Sequence, residues 1–203
     1  MLCAVLSGSK AELSWQGSKE SFGYFDAKGV VENILSHQDL RAIFSLSEEE
    51  GLFPGRCADI FVDGDKIGVV GELHPRVSQY FELSGIVCVI EMDLENLWSK
   101  ASGIKRYQSI ARYPDMTRDI ALVLNNGINF QHVDDIIRAF SLVKKTVLFD
   151  VYTGEQVTAG NKSFAVRIMF QSSEHTLTDK EVDRTEKKML YMLQEKLGAT
   201  LRS

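Results

Sequence analysis

KKTVLFDVYTGEQVTAGNKSFAVRIMFQSS, Lys144 to Ser173, reads as two strands joined by a glycine-rich loop. Strand side chains alternate with period two. In Val147 to Tyr152 the side chains of Val147, Phe149 and Val151 are therefore expected on one face, and those of Leu148, Asp150 and Tyr152 on the other. In the second segment Phe164, Val166, Ile168 and Phe170 make a continuous apolar row and leave Ser163, Ala165, Arg167 and Met169 opposite. One face of this sheet requires a core. The other offers an acceptor (Asp150), a flat aromatic (Tyr152), a hydroxyl (Ser163) and a cation (Arg167). A face with one aromatic among small and polar groups suits a flat, hydrogen-bonding ligand such as an unstacked nucleobase.

Working outward, Asp119 to Leu124 alternates as a strand, with Ile120, Leu122 and Leu124 inward and Asp119, Ala121 and Val123 outward. Asn129 caps a predicted helix whose Val133, Ile136, Ile137 and Phe140 make an amphipathic stripe. Thr178-Asp179-Lys180-Glu181 is a capping box, and the helix after it carries Val182, Met189, Leu190, Leu193 and Leu197 on one side before Gly198 stops it. Ala199 to Arg202 can add a last strand. The order β-α-β-β-α-β is the ferredoxin-like motif, with both helices on one sheet face. Its open face is expected to collect Asp119, Ala121, Asp150, Tyr152, Ser163, Ala165 and Arg167.

The first hundred residues read as an antiparallel sheet with helices on one face, so the fold class is α+β throughout. Met1 to Ser9 is a strand that begins abruptly, as expected of a piece of a larger protein. Asp26 is placed to N-cap a helix running to about His37, Ile43 to Ser47 is a short strand, and Glu48 to Pro54 is a loop. Cys57 to Leu73 is a hairpin turning at Asp63-Gly64. Pro75 opens a short helix through Leu83, and Val87 to Leu94 is a strand. His74 reads as a helix-start histidine, because no nucleophile or metal-ligand partner lies at a recognisable spacing. Ser99 to Gly103 is the linker candidate, and Tyr107 to Asp119 an extended arm into the second domain. The expected division is 1–100, a linker arm 101–112, and a ferredoxin-like domain 113–203.

The 203 residues, 44% apolar and 25% charged, have an ordinary globular composition. No apolar run approaches the roughly 18 residues of a membrane span, and the first residues show no basic region followed by a continuous apolar stretch and cleavage site, so a soluble, cytoplasmic protein without membrane partners is expected. Cys3, Cys57 and Cys88 sit in apolar strand-like segments without Cys-x-x-Cys spacing and read as buried free thiols, indicating neither disulfides nor zinc. Charge is divided unevenly. Residues 1–103 carry 8 Lys+Arg against 16 Asp+Glu, and residues 104–203 carry 15 against 12. That division is compatible with an anionic partner on the second half.

RYPDMTRDIALVL, VLFDVYTGEQVTAGNKSFAVRIMFQ and the TLTDKEV helix start resemble the C-terminal anticodon-binding domain of the bacterial phenylalanyl-tRNA synthetase beta subunit. MLCAVLSG, YFDAKGVVENIL, GLFPGRCADIFVDGDKIGVVGELHP and the strand before Trp98 are similar to the last part of that subunit's catalytic-like module, a degenerate class II synthetase fold. The resemblance covers essentially the whole chain in order. It implies part of an ATP- and magnesium-dependent phenylalanine–tRNA ligase with an α2β2 assembly, whose alpha subunit holds the catalytic residues. The segment itself is expected to contain no catalytic site, bound cofactor or metal, and to be inactive alone. Its partners would be the anticodon loop of a phenylalanine-accepting tRNA and the alpha subunit.

Carried over by position, the resemblance places Asp150, Tyr152 and Ser163 at the anticodon. The first anticodon base of this tRNA is guanine, whose N1–H and N2–H₂ are donors that a carboxylate accepts together. Arg118, Lys162 and Arg167 are the phosphate candidates. Structural alternatives stand beside these roles. Tyr152 can cover a hairpin end, Asp150 can bond the loop backbone, Arg118 and Asp119 can form a local ion pair, and Lys180, Lys187, Lys188 and Lys196 read as a solvated helix face. The competing function is a subunit-interaction or small-molecule regulatory module on the same fold, since the ferredoxin-like motif alone decides nothing.

Overall fold

The Asp63-Gly64 pair turns the first hairpin with both residues at positive φ, 51° and 87°, the backbone a type I′ turn requires. The strands it joins, β3 (Leu52–Val62) and β4 (Asp65–Leu73), lie in the middle of a sheet that also contains β1 (Leu2–Ser7), β2 (Ile43–Leu46) and β5 (Val87–Met92). The order is β1-β5-β4-β3-β2, antiparallel throughout. The computed structural model describes residues 1–11, 15, 20–101, 112–154 and 157–202, in two units, Met1–Tyr107 and Gln108–Ser203.

In the first unit Ala27, Val31 and Leu35 of helix α1 (Tyr24–His37) and Leu97 of helix α3 (Leu94–Lys100) share a core with Ile60, Val70, Ile90 and Met92 of the sheet. Several boundaries differ from those read in the sequence. The N-cap of α1 is Gly23; Asp26 is the third helical residue, whose carboxylate accepts from the Gly23 amide at 2.9 Å. Strand β3 begins at Leu52, inside the expected loop, because pairing with Leu73 extends the hairpin past a bulge. Helix α2 (Pro75–Tyr80) is shorter than expected. Strand β5 stops at Met92, because Asp93 caps α3, accepting from the amides of Glu95 and Asn96 at 2.9 and 3.3 Å. Ser99 and Lys100 are thus helical rather than linker. Of the expected arm 101–112, residues 102–111 lie outside the described residues. Cys57 and Cys88 are buried free thiols, whereas Cys3 is exposed, on the face of β1 opposite the core. His74 is the N-cap of α2, its Nδ1 accepting from the Arg76 amide at 3.1 Å.

The second unit runs β6 (Met116–Asn125), α4 (Phe130–Arg138), β7 (Val143–Tyr152), β8 (Asn161–Phe170), α5 (Asp179–Leu197) and β9 (Thr200–Leu201). Its antiparallel sheet has the order β7-β8-β6-β9. Ile120, Leu122 and Leu124 of β6 and the Phe164, Val166, Ile168, Phe170 row pack against Val133 and Ile137 of α4 and Val182, Met189 and Leu193 of α5. Both helices therefore cover one face. Each large apolar side chain in that row contributes about 1.5–3 kcal/mol by burial, which fixes the register of β8, since a one-residue slip would turn the whole row to water.

Strand β7 departs from simple alternation. Its pairing with β8 skips Lys144 and again skips Phe149: Leu148 faces Val166, but Asp150 faces Ala165. Thr146 and Leu148 consequently share the core side with Ile168 and Val166, while Val147 lies with Arg167 on the open side. The expected grouping of Val147 and Phe149 with the core is thus overturned, because a bulge inserts one unpaired residue and reverses the phase of the residues beyond it. Thr146 is held from beneath, its hydroxyl donating to the buried Asp134 carboxylate of α4, whose other oxygen accepts from Arg138 Nε at 2.7 Å.

Helix α5 starts in the expected capping box. Glu181 accepts from the Thr178 hydroxyl and amide at 2.7 and 2.9 Å and pairs with His175 Nε2 at 2.9 Å. The Thr178 hydroxyl, the Thr178 amide and His175 together hold the Glu181 carboxyl down at about 2. A carboxyl depressed on folding stabilises above its unfolded-state pKa and loses that contribution as pH falls through its folded value. Glu181→Ala should lower the melting temperature at pH 7, and the gap from wild type should close between about pH 4.5 and 2, read by thermal melts across that range. Thr146→Val should cost about 1–3 kcal/mol in urea unfolding, the usual penalty for a buried acceptor deprived of a partner.

Candidate nucleic-acid interface

Three rows of paired residues cross the open face of the second sheet. One contains Tyr152, Ser163, Val123 and Thr200; the next contains Asp150, Ala165 and Ala121; the third contains Val147, Arg167 and Asp119. Beyond Ala121 this row is extended by Arg202, whose amide donates to the Ala121 carbonyl at 2.9 Å. The centre of the face is therefore small, Ala165 beside Ala121, with the carboxylate of Asp150 at one side and Arg202 at the other. The bulge at Phe149 is what brings Asp150 and Tyr152 into phase with Ala165 and Ser163.

The Arg202 guanidinium reaches back across the small residues and lies 4.9 Å from the centre of the Tyr152 ring. Tyr152 in turn folds over Gly154: a Cβ there would stand 2.2 Å from the tyrosine hydroxyl oxygen. A side chain at 154 would therefore have to displace the tyrosine ring from this position. Ser163 is only 3% exposed, so its hydroxyl sits within the floor, below the rim formed by Asp150 and Tyr152. A second cation–aromatic pair lies further along β7, where the Arg167 guanidinium is 5.5 Å from the Phe149 ring. Arg167 also makes a two-pronged ion pair with Asp119, Nε to Oδ1 at 2.8 Å and Nη2 to Oδ2 at 2.7 Å. The guanidinium holds the Asp119 carboxyl below its ordinary range, and the carboxylate raises the arginine in return.

Asp150, Tyr152, Ser163 and Arg167 thus share the open face, and two other residues singled out in the sequence do not. Arg118 pairs in register with the core residue Ile168 and turns to α5, where it bonds Asp179 at 2.7 Å and lies 3.6 Å from Asp183. The expected local pair with Asp119 is not formed, because consecutive strand residues point to opposite faces. Lys162 stands on the helix side as well: its ammonium donates to the Asn126 carbonyl at 2.7 Å, lies 5.1 Å from the Phe164 ring, and is lowered by burial. Conversely, the sequence reading gave no role to Arg202 and assigned Phe149 to the core. The apolar Leu148 in the otherwise polar row of Thr146, Asp150 and Tyr152 was the one signal of a bulge; nothing local marks Arg202, whose place depends on β9 pairing with β6.

Residues 111–202 match the family described as the ferredoxin-fold anticodon binding domain, and residues 1–94 match the phenylalanyl tRNA synthetase beta chain CLM domain. Among relatives, the phenylalanine–tRNA ligase beta subunits of Dehalococcoides mccartyi (strain ATCC BAA-2266), Staphylococcus haemolyticus and Syntrophotalea carbinolica are 41%, 36% and 33% identical, over 99–100% of this chain and 25–26% of theirs. The chain spans about a quarter of the length of the curated relatives it matches. With each unit matched by one family model, the first of them a phenylalanyl tRNA synthetase beta chain domain, and its full length aligned to relatives of a single description, this chain belongs to the phenylalanyl-tRNA synthetase beta-subunit family.

Proposed function

We propose that this chain recognises the anticodon loop of a phenylalanine-accepting tRNA on the open sheet face of its second unit, as part of a phenylalanine–tRNA ligase beta subunit. The observation that carries this reading is the convergence of Asp150, Tyr152 and Ser163 around the Ala165–Ala121 floor. Asp150 accepts from N1–H and N2–H₂ of the first anticodon guanine; adenine offers no such donor pair. Tyr152 stacks on the base, and Ser163 meets its edge from within the floor. Arg202 brings positive charge to the rim where the phosphate backbone passes, whereas the charge of Arg167, on the same face, is balanced by Asp119. Arg118 and Lys162 are reassigned to the fold, since both are engaged on the helix side.

In the same reading the first unit contributes to subunit assembly with an alpha subunit in an α2β2 enzyme of the cytoplasm, and no aminoacylation is expected of the chain by itself. Among the described residues, no three His, Cys, Asp or Glu side chains gather where they could hold a metal ion. ATP and magnesium are assigned to the alpha subunit, with no step placed on this chain. Among the described residues, no helix is long and apolar enough to cross a membrane.

The test is binding of the chain to a phenylalanine anticodon stem-loop, compared with the same loop bearing adenine in place of the first anticodon guanine. The guanine loop should bind more tightly, with a salt dependence that reports phosphate contacts. Asp150→Asn should remove the preference, and Tyr152→Ala should weaken binding by about 1–3 kcal/mol, the usual worth of a base–aromatic stack. Equal binding of both loops, unaffected by either substitution, would overturn the reading in favour of a subunit-packing face.

A further inference from the structure

The bulge in β7 leaves one large apolar side chain where a soluble sheet face does not need it. Phe149 is the unpaired residue, it stands 53% exposed, and its neighbour Val147 is 37% exposed. Bulges recur beside functional sites because they re-aim a side chain. Here the bulge turns Phe149 out toward Arg167, whose guanidinium lies 5.5 Å from the ring and is fixed in place by both oxygens of Asp119. A guanidinium so neutralised is poorly suited to gripping a phosphate. Laid beside an aromatic ring, it extends a flat, polarisable surface instead.

We infer that Phe149 and Arg167 form a second stacking platform that takes another unpaired base of the same loop, separate from the base on Tyr152. The inference rests on the anticodon reading of this face. Two observations favour RNA over a protein partner. The pair repeats the arrangement of Tyr152 with Arg202, an aromatic under a guanidinium, at 5.5 and 4.9 Å respectively. The two aromatics also lie on one strand, on either side of Asp150, and the bulge at Phe149 sets that ring beside Arg167 on the side that Tyr152 occupies. Single-stranded nucleic acid is held by such successive aromatics, and stacking tolerates any base because every base has a π-face.

The experiment pairs Phe149→Ala, Arg167→Gln and Tyr152→Ala with the phenylalanine anticodon stem-loop and with a set of loops made abasic at one position at a time. Circular dichroism melts accompany each variant; Phe149 is exposed, so its alanine variant should fold as wild type. Phe149→Ala should weaken the intact loop about 10-fold or more, and one abasic position, different from that sensed by Tyr152, should erase the difference between this variant and wild type. Arg167→Gln should weaken binding less and map to the same position. If Phe149→Ala binds every loop as wild type does while Tyr152→Ala remains defective, the second platform is refuted and the anticodon reading stands. A loss at Phe149 that no abasic position erases would also refute it, assigning the ring to packing. Failure of the wild-type chain to distinguish any abasic loop from the intact one would remove both readings together.

Discussion

The pairing of β7 with β8 governs what the open face presents. Strand β8 cannot shift, because Phe164, Val166, Ile168 and Phe170 are all buried against α4 and α5. Strand β7 must match it while containing two more residues than its partner over the paired stretch, and it does so by leaving Lys144 and Phe149 unpaired. Without the second bulge the strand would continue in the phase set by Leu148, and Asp150 and Tyr152 would turn toward the helices. The hydroxyl of Thr146 on the Asp134 carboxylate lies between the two bulges and ties this segment of the edge strand to α4. A polar group in the core row is tolerated because its partner is buried with it.

The same sheet sorts its cations by face. Arg118 and Lys162 serve the fold, one joining β6 to the acidic first turns of α5, the other closing the turn at Asn126. Arg167 and Arg202 lie on the open side, each over an aromatic ring. The modest excess of basic residues in the second half therefore understates how the charge is used. Position across the sheet decides whether an arginine is bound to a helix or lies on the open face, and adjacent residues such as Arg118 and Asp119 end up with unrelated partners.

Local chemistry fixed many of the element ends. The type I′ turn at Asp63-Gly64, the Thr178–Glu181 capping box and the His74 cap each satisfy backbone groups within a few residues, so they were readable before any tertiary contact. The Gly23 and Asp93 caps were not read, although they obey the same rules. Asp26 completes a reciprocal capping arrangement from inside α1 rather than capping it, and Asp93 looked like the continuation of an apolar strand.

The order of the elements, the ferredoxin-like motif and the apolar row of β8 were legible in the sequence, because periodicity reports which side of a strand or helix is buried. The family resemblance added the roles proposed for Asp150, Tyr152 and Ser163. Tertiary structure alone decided that Leu148 rather than Phe149 reaches the core, that Arg118 and Lys162 are spent on the helix side, and that Arg202 arrives over Tyr152. Period-two alternation assumes an unbroken ladder, and a bulge is set by the mismatch between two strands rather than by either one. The position of Arg202 depends on β9 closing beside β6, a contact across some eighty residues of chain that no local pattern encodes.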